Sequence, residues 1–149
     1  MAHNLESTSA PSALGSWMQD LYARIFVQPD DQVSANAFKE SIAEDFTARE
    51  ASLYHKINHD HYTRQSFHDA IMKFRADNKT TIQETTELQS WVAPDGSGAG
   101  CVSQFLRFTD SNKETGVGSN SSTLLIASIK VIDGRKMLVE LTEVMQASA

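Results

Sequence analysis

Two ionisable residues stand in apolar sequence: Arg107 among Phe105, Leu106 and Phe108, and Glu140 within Met137-Leu138-Val139-Glu140-Leu141. Removing a lone carboxylate from water raises its pKa towards the range used in acid–base catalysis, and a nearby guanidinium lowers it again. Arg107 and Glu140 are therefore candidate catalytic groups. The alternative is a structural Arg–Glu pair across adjacent strands, or two solvated side chains near a sheet edge. A second constellation is His55, His59, Asp60, His61 and Tyr62. Here His55 or Asp60 would move a proton at the rim of a pocket, and Tyr54 or Tyr62 would hydrogen-bond a substrate oxygen. The alternative is a polar loop whose side chains serve turn and cap geometry.

Other polar side chains lie on strands whose two-residue periodicity defines faces without saying which is concave, so Glu84, Glu87 and Gln104 join the candidates for a pocket wall. Trp91 and Tyr54 suit pocket lining because each pairs an apolar ring with one hydrogen-bonding group. Tyr22, Phe26, Phe67 and Phe74 are among the further aromatics available to fill or line the space. The histidines, spaced i, i+2, do not form a closed four-ligand set, so no metal site is expected. Cys101 has no partner in the sequence and reads as a small buried hydrophobe.

Helical spacing dominates to about residue 77 and strand spacing follows. Leu14, Trp17, Met18, Leu21, Ile25 and Phe26 form one stripe of a helix capped by Ser12. A second helix is expected from Ala35 to about Asp45 with Ser34 as cap, then a short strand from Ala48 to Asn58 and a loop from Asn58 to Tyr62. Thr63 caps a third helix that turns Phe67, Ala70, Ile71 and Phe74 inward. Strands follow at 80–93, 100–109, 122–132 and 136–145, with hairpin signals at Pro94 to Gly98 and at Asp133-Gly134. The segment Asp110 to Ser121 reads as a long, polar, mobile loop. Residues 1–12 form a loosely held arm and 13–146 a single domain.

Of 149 residues 21% are charged, and the net charge is −6 with no cluster of Lys or Arg to track phosphates, which argues against nucleic acid. A single cysteine and the lack of an apolar N-terminal run point to a soluble, cytoplasmic protein with no membrane contact. Both faces of the sheet are partly apolar, with Val102, Leu106 and Phe108 on one and Cys101 and Phe105 on the other. A homodimer through the outer face would cover the second.

Phe46 to Asn58, Tyr62-Thr63-Arg64-Gln65-Ser66-Phe67 and Ile132-Asp133-Gly134-Arg135-Lys136-Met137, running on into Glu140 and Glu143, occur in an order that resembles the nuclear-transport-factor-2-like superfamily and its SnoaL-like branch of polyketide cyclases and small isomerases. The resemblance implies an α+β fold in which three N-terminal helices pack on a strongly curved antiparallel sheet, forming a cystatin-like cone around a pocket. It also implies chemistry without metal or organic cofactor, by a carboxylate or His in an apolar cavity. The expected activity is isomerisation, cyclisation or ring-opening of a hydrophobic, oxygen-bearing polyketide or terpenoid intermediate. The alternative is a non-catalytic ligand-binding or dimerisation module of the same fold.

Overall fold

A computed structural model describes residues 10–53 and 57–147. Helix α1 (Ala13–Tyr22) begins where expected, with the Ser12 hydroxyl accepting from the Gly15 amide at 3.0 Å. Leu14, Met18 and Leu21 are buried along its inner stripe. The helix then widens into a π-helical turn, Ala23–Val27, closed by a hydrogen bond from the Gln28 amide to the Ala23 carbonyl. The Ile25 carbonyl accepts instead from the Ser34 hydroxyl at 2.7 Å and from Arg75 at 2.9 Å.

Helix α2 (Asp31–Ser41) starts four residues earlier than the sequence suggested. The Asp30 carboxylate takes the cap position, accepting from the Gln32 and Val33 amides, and so the expected cap Ser34 is left free to bond the π-turn. Helix α3 (Arg64–Asp77) has the expected Thr63 cap, completed by Ser66 in a reciprocal box.

The six strands are β1 (Ile42–Leu53), β2 (Ile57–Thr63), β3 (Asn78–Val92), β4 (Gly100–Asn112), β5 (Gly118–Ile132) and β6 (Arg135–Ala147). They form one curved, unclosed sheet in the order β2-β1-β6-β5-β4-β3, antiparallel except for the parallel pair β1/β6. The helices pack on its concave face around Leu14, Phe38, Phe46, Leu106, Leu125 and Ile129. The β5–β6 hairpin turns at Asp133-Gly134, both with positive φ (52° and 77°), as a two-residue turn of this type demands.

Two expectations need correction. Residues 58–62 are not a loop but lie in β2, which pairs with β1 from Leu53/Ile57 to Thr47/Thr63. An edge strand need not show apolar alternation, so its polar sequence concealed it. Asp110 to Ser121 is likewise no long loop: β4 and β5 continue through it in register, and only Lys113 to Val117 turn. That turn is ordered by the Asn112 side chain, which accepts from the Glu114 and Thr115 amides, and by Gly116 with φ of 71°.

Candidate functional site

The helices and the concave sheet enclose a cavity of about 240 Å³. Tyr22 and Phe26 from the end of α1 and the π-turn, Phe67 and Phe74 from α3, and Phe108 from β4 supply an aromatic wall. Tyr22 and Phe26 stack with ring centres 4.5 Å apart. Into this apolar space point three carboxylates: Glu50 of β1, Asp110 of β4 and Glu143 of β6.

The meeting of Glu50 and Glu143 follows from register. Leu125, Glu143, Glu50 and Asp60 are successive cross-strand partners over β5, β6, β1 and β2, so three acids sit side by side on neighbouring strands. Like charges so placed repel one another, an arrangement that packing alone does not favour. Glu143 is 5% exposed and, among the described residues, has one side-chain partner, the Thr123 hydroxyl, which donates to it at 3.1 Å. Burial first and the Glu50 charge second push its carboxyl up to about 7, against the lowering effect of that hydrogen bond.

Burial also raises Glu50, with Asp60 adding to it. Asp110 is raised by burial and held back by the Thr80 hydroxyl, which donates to it at 2.6 Å. Tyr22, buried and surrounded by Glu143, Asp110 and Glu50, keeps its proton well beyond the usual phenol range. Glu143 is thus an acid that changes state near neutrality, with Glu50 beside it, Tyr22 a permanent donor and Tyr62 on the same wall. Such an arrangement can give a proton from one carboxyl and take one with the other.

No protein-family model matches this sequence, and no curated protein matches it. Solved structures do match in fold. A protein from Xanthomonas campestris described as a calcium/calmodulin dependent protein kinase II association domain superposes with a TM-score of 0.61 at 12% identity, over 91% of this chain and 85% of that one. A ketosteroid isomerase-like protein from Erwinia carotovora atroseptica gives 0.57 at 10% identity, over 92% and 91%. An NTF2-like protein from Cytophaga hutchinsonii gives 0.53 at 8% identity, over 87% and 95%. The chain has the nuclear-transport-factor-2-like fold. At these identities the likeness is one of architecture.

In this NTF2-like cone the residues singled out from sequence are scattered. Tyr62 lines the cavity; Asp60 does not, being exposed on β2 opposite Glu50, on which it acts through its charge. Arg107 is on the outer face with its side chain 64% exposed, 3.5 Å from Glu84, as in the structural-pair alternative but with a different partner. Glu140 is exposed, and Trp91 is exposed at the opposite end of β3 from the cavity residue Thr80. Gln104 is buried, and its Nε2 donates to the Gly15 carbonyl at 3.0 Å. Glu87 accepts from the Ser12 amide and, at 2.7 Å, from its hydroxyl, fastening the start of α1 to the sheet. Tyr54 and His55 lie outside the described residues.

Glu143, Glu50, Asp110 and Tyr22 are the cavity groups that sequence reasoning did not put forward as site residues. For Glu143 a signal existed: its i±2 neighbours, Leu141 and Met145, share its face and are apolar. Among the described residues no three His, Cys, Asp or Glu side chains are grouped to hold a metal ion, and no helix is long and apolar enough to cross a membrane.

Proposed function

We propose that this protein is an acid–base isomerase or cyclase that works without a cofactor on a hydrophobic, oxygen-bearing metabolite of polyketide or terpenoid type. The observation that carries this reading is the Glu50/Glu143 pair, set on adjacent strands in an aromatic cavity with the acid of one poised near neutral pH. The ionised Glu50 removes a proton from the carbon next to a substrate carbonyl. The protonated Glu143 gives its proton to the carbonyl oxygen, so an enol forms while the two carboxyls exchange roles. In a substrate whose deprotonated carbon also adjoins a carbon–carbon double bond the enol is a dienol. Return of the Glu50 proton to the far end of that double bond, with Glu143 reclaiming the enol proton, yields the isomer and restores both groups. Tyr22 and Tyr62 are placed to hydrogen-bond the oxygen on which charge gathers. Arg107, turned to the outer face, has no part in this scheme.

The test uses a generic ketone. In deuterium oxide at pH 6.5, the protein is expected to exchange the α-protons of 2-tetralone, followed by proton NMR, on the order of 10²-fold faster than buffer. Binding of the ketone with no exchange above buffer would overturn the reading and leave a ligand carrier.

We further propose that a second copy covers the outer face of the sheet. Leu124 and Val144 are cross-strand partners there, Ile126 follows them on the same face, and all three are exposed. Phe105, the cross-strand partner of Leu124, extends the patch. The Glu84–Arg107 pair borders the patch with both signs of charge, which suits a self-complementary two-fold contact. Ile126→Lys together with Val144→Lys is expected to shift the sedimenting species from dimer to monomer; a wild-type monomer at 100 µM would refute the contact.

A further inference from the structure

Asp110 lines the same cavity as Glu50 and Glu143 but has no task in moving a proton between them. It stands apart from that pair. Asp110 is opposite Ser119 on β5, whereas Glu143 is opposite Leu125, six residues further along that strand and on its other side. The rows between them place Phe108 and Met145, both in the cavity wall, so an apolar stretch separates the two polar places. Burial and the Thr80 hydroxyl account for the raised Asp110 carboxyl, with no part from Glu50 or Glu143, so its ionisation is not tied to theirs.

Thr80, buried on β3 opposite Asp110, donates to its Oδ1 at 2.6 Å and so fixes the carboxyl in place. Among the described residues nothing donates to Oδ2. A second observation comes from β5. Ser121 is 3% exposed, lies beside Phe108 on the concave face, and is the diagonal neighbour of Asp110, about 7–8 Å away. Its hydroxyl is buried with no hydrogen-bond partner among the described residues. Buried polar groups in native proteins are nearly always satisfied, so an orphan hydroxyl on the same face as an open carboxyl oxygen points to a ligand oxygen between them. Rotation about its one side-chain torsion lets Ser121 donate to an oxygen that itself donates to Asp110. A hydroxyl meets both demands. An ether or ester oxygen lacks the proton, a carboxylate brings a like charge to Asp110, and a bare hydrocarbon takes water from both groups and gives nothing back.

We infer that Asp110, with Ser121, is a specificity-determining subsite for a free hydroxyl of the ligand, held across Phe108 and Met145 from the Glu50/Glu143 pair. The inference rests on the reading of the cavity as the functional site. It narrows the substrate from a hydrophobic ketone to a hydroxyketone. The reaction that supplies this substrate must leave the hydroxyl free, neither methylated nor acylated.

The 5-, 6-, 7- and 8-hydroxy-2-tetralones carry a hydroxyl to each open position of the aromatic ring, and are compared with 2-tetralone and with their own methyl ethers on the full chain. Exchange of the α-protons at pH 6.5 is followed by proton NMR and divided by each ketone's exchange in buffer, which removes differences in acidity. At least one hydroxytetralone is expected to exceed 2-tetralone in kcat/KM by roughly 10- to 100-fold, with the gain in KM, and its methyl ether to lose that gain. Asp110→Leu combined with Thr80→Val removes both partners of the buried hydrogen bond and strands neither, and should bring the ratio to within about twofold of unity. Dissociation constants of the same ketones, from calorimetry, report recognition separately from chemistry.

If 2-tetralone exchanges but no hydroxytetralone exceeds it by more than about threefold, the subsite is refuted and the acid–base reading stands alone. A gain that survives in the methyl ether, or in the double variant, refutes the subsite equally. If no ketone exchanges above buffer, yet a hydroxytetralone binds more than about threefold more tightly than 2-tetralone and its own ether, the subsite stands and the acid–base reading falls. Failure of every ketone to bind at 1 mM overturns both.

Discussion

Glu143→Gln is expected to be more stable than the wild type at pH 8 by about 3 kcal/mol and nearly equal to it below pH 4.5. The sign follows from linkage. The Glu143 carboxyl has an ordinary value of 4.5 and stands at about 7 in the folded protein. Between those two values the folded chain keeps a proton that the unfolded chain gives up, so stability falls as pH rises, by about 1.4 kcal/mol per unit. Below 4.5 both states are protonated, and above 7 the full cost of a buried carboxylate has been met. Glutamine stays neutral throughout and keeps an oxygen to accept from Thr123. At pH 8 the gain corresponds to a rise in Tm on the order of 10 °C. Glu50 and Asp110, raised in the same direction, leave a residual slope in the variant. Parallel wild-type and variant curves of Tm against pH would show that Glu143 does not hold its proton as described.

The same variant tests chemistry. Without a proton to donate at this position, α-proton exchange of 2-tetralone is expected to drop by 10²- to 10⁴-fold, roughly the contribution of a positioned acid. The limb of the pH–rate profile near 7 should disappear with it. A purely structural Glu143 would move Tm and leave that limb in place, which separates the two roles.

Why the sequence led to Arg107 and Glu140 rather than to Glu143 has a plain physical basis. Both were chosen because apolar residues flank them at i±1, but in a strand those neighbours point to the opposite face and report nothing about the environment of the residue itself. The informative neighbours are at i±2 and across the strands. Glu50 shows no such signal, having Ala48 and Ser52 at i±2; its place in the cavity depends on the parallel pairing of β1 with β6, a contact between segments some ninety residues apart. In β3 a strict two-residue alternation, which would put Glu87 and Trp91 on one face, fails for another reason. Register shifts after Ile82 and after Glu87 turn the strand over twice. Helices α1 and α3, by contrast, were readable because their caps and stripes are local: Ser12 and Thr63 do what their positions predict, whereas in α2 Asp30 takes the cap from Ser34. The Asp133-Gly134 hairpin was readable for the same reason, its positive φ values being a property of two adjacent residues.

Arg75→Met is expected to cost about 2–4 kcal/mol, a large share of the stability of a domain this size. Arg75 is 5% exposed on α3 and holds three other segments together. It donates to the Ile25 carbonyl at 2.9 Å, to the Gln28 carbonyl, and to Asp31 at 3.0 Å. The π-turn is what makes this necessary. By widening the helix it leaves the Ile25 carbonyl to partners outside the helix, and among the described residues only Ser34 besides Arg75 supplies one. Methionine matches the apolar stem but leaves the Gln28 carbonyl without this donor and the Ile25 carbonyl with a single one. Most of the cost lies in these carbonyls, because Asp31 is largely in water and its ion pair is worth little. Arg75→Lys should recover only part of the loss, since one ammonium cannot reproduce the fork that spans both carbonyls. Urea unfolding gives the measurement, with a change in midpoint at constant m as the expected form. A loss below about 1 kcal/mol in Arg75→Met would mean that the π-turn holds its shape without the guanidinium. The effect reaches the cavity because Tyr22 and Phe26, whose stacked rings form one wall, flank the carbonyl that Arg75 holds.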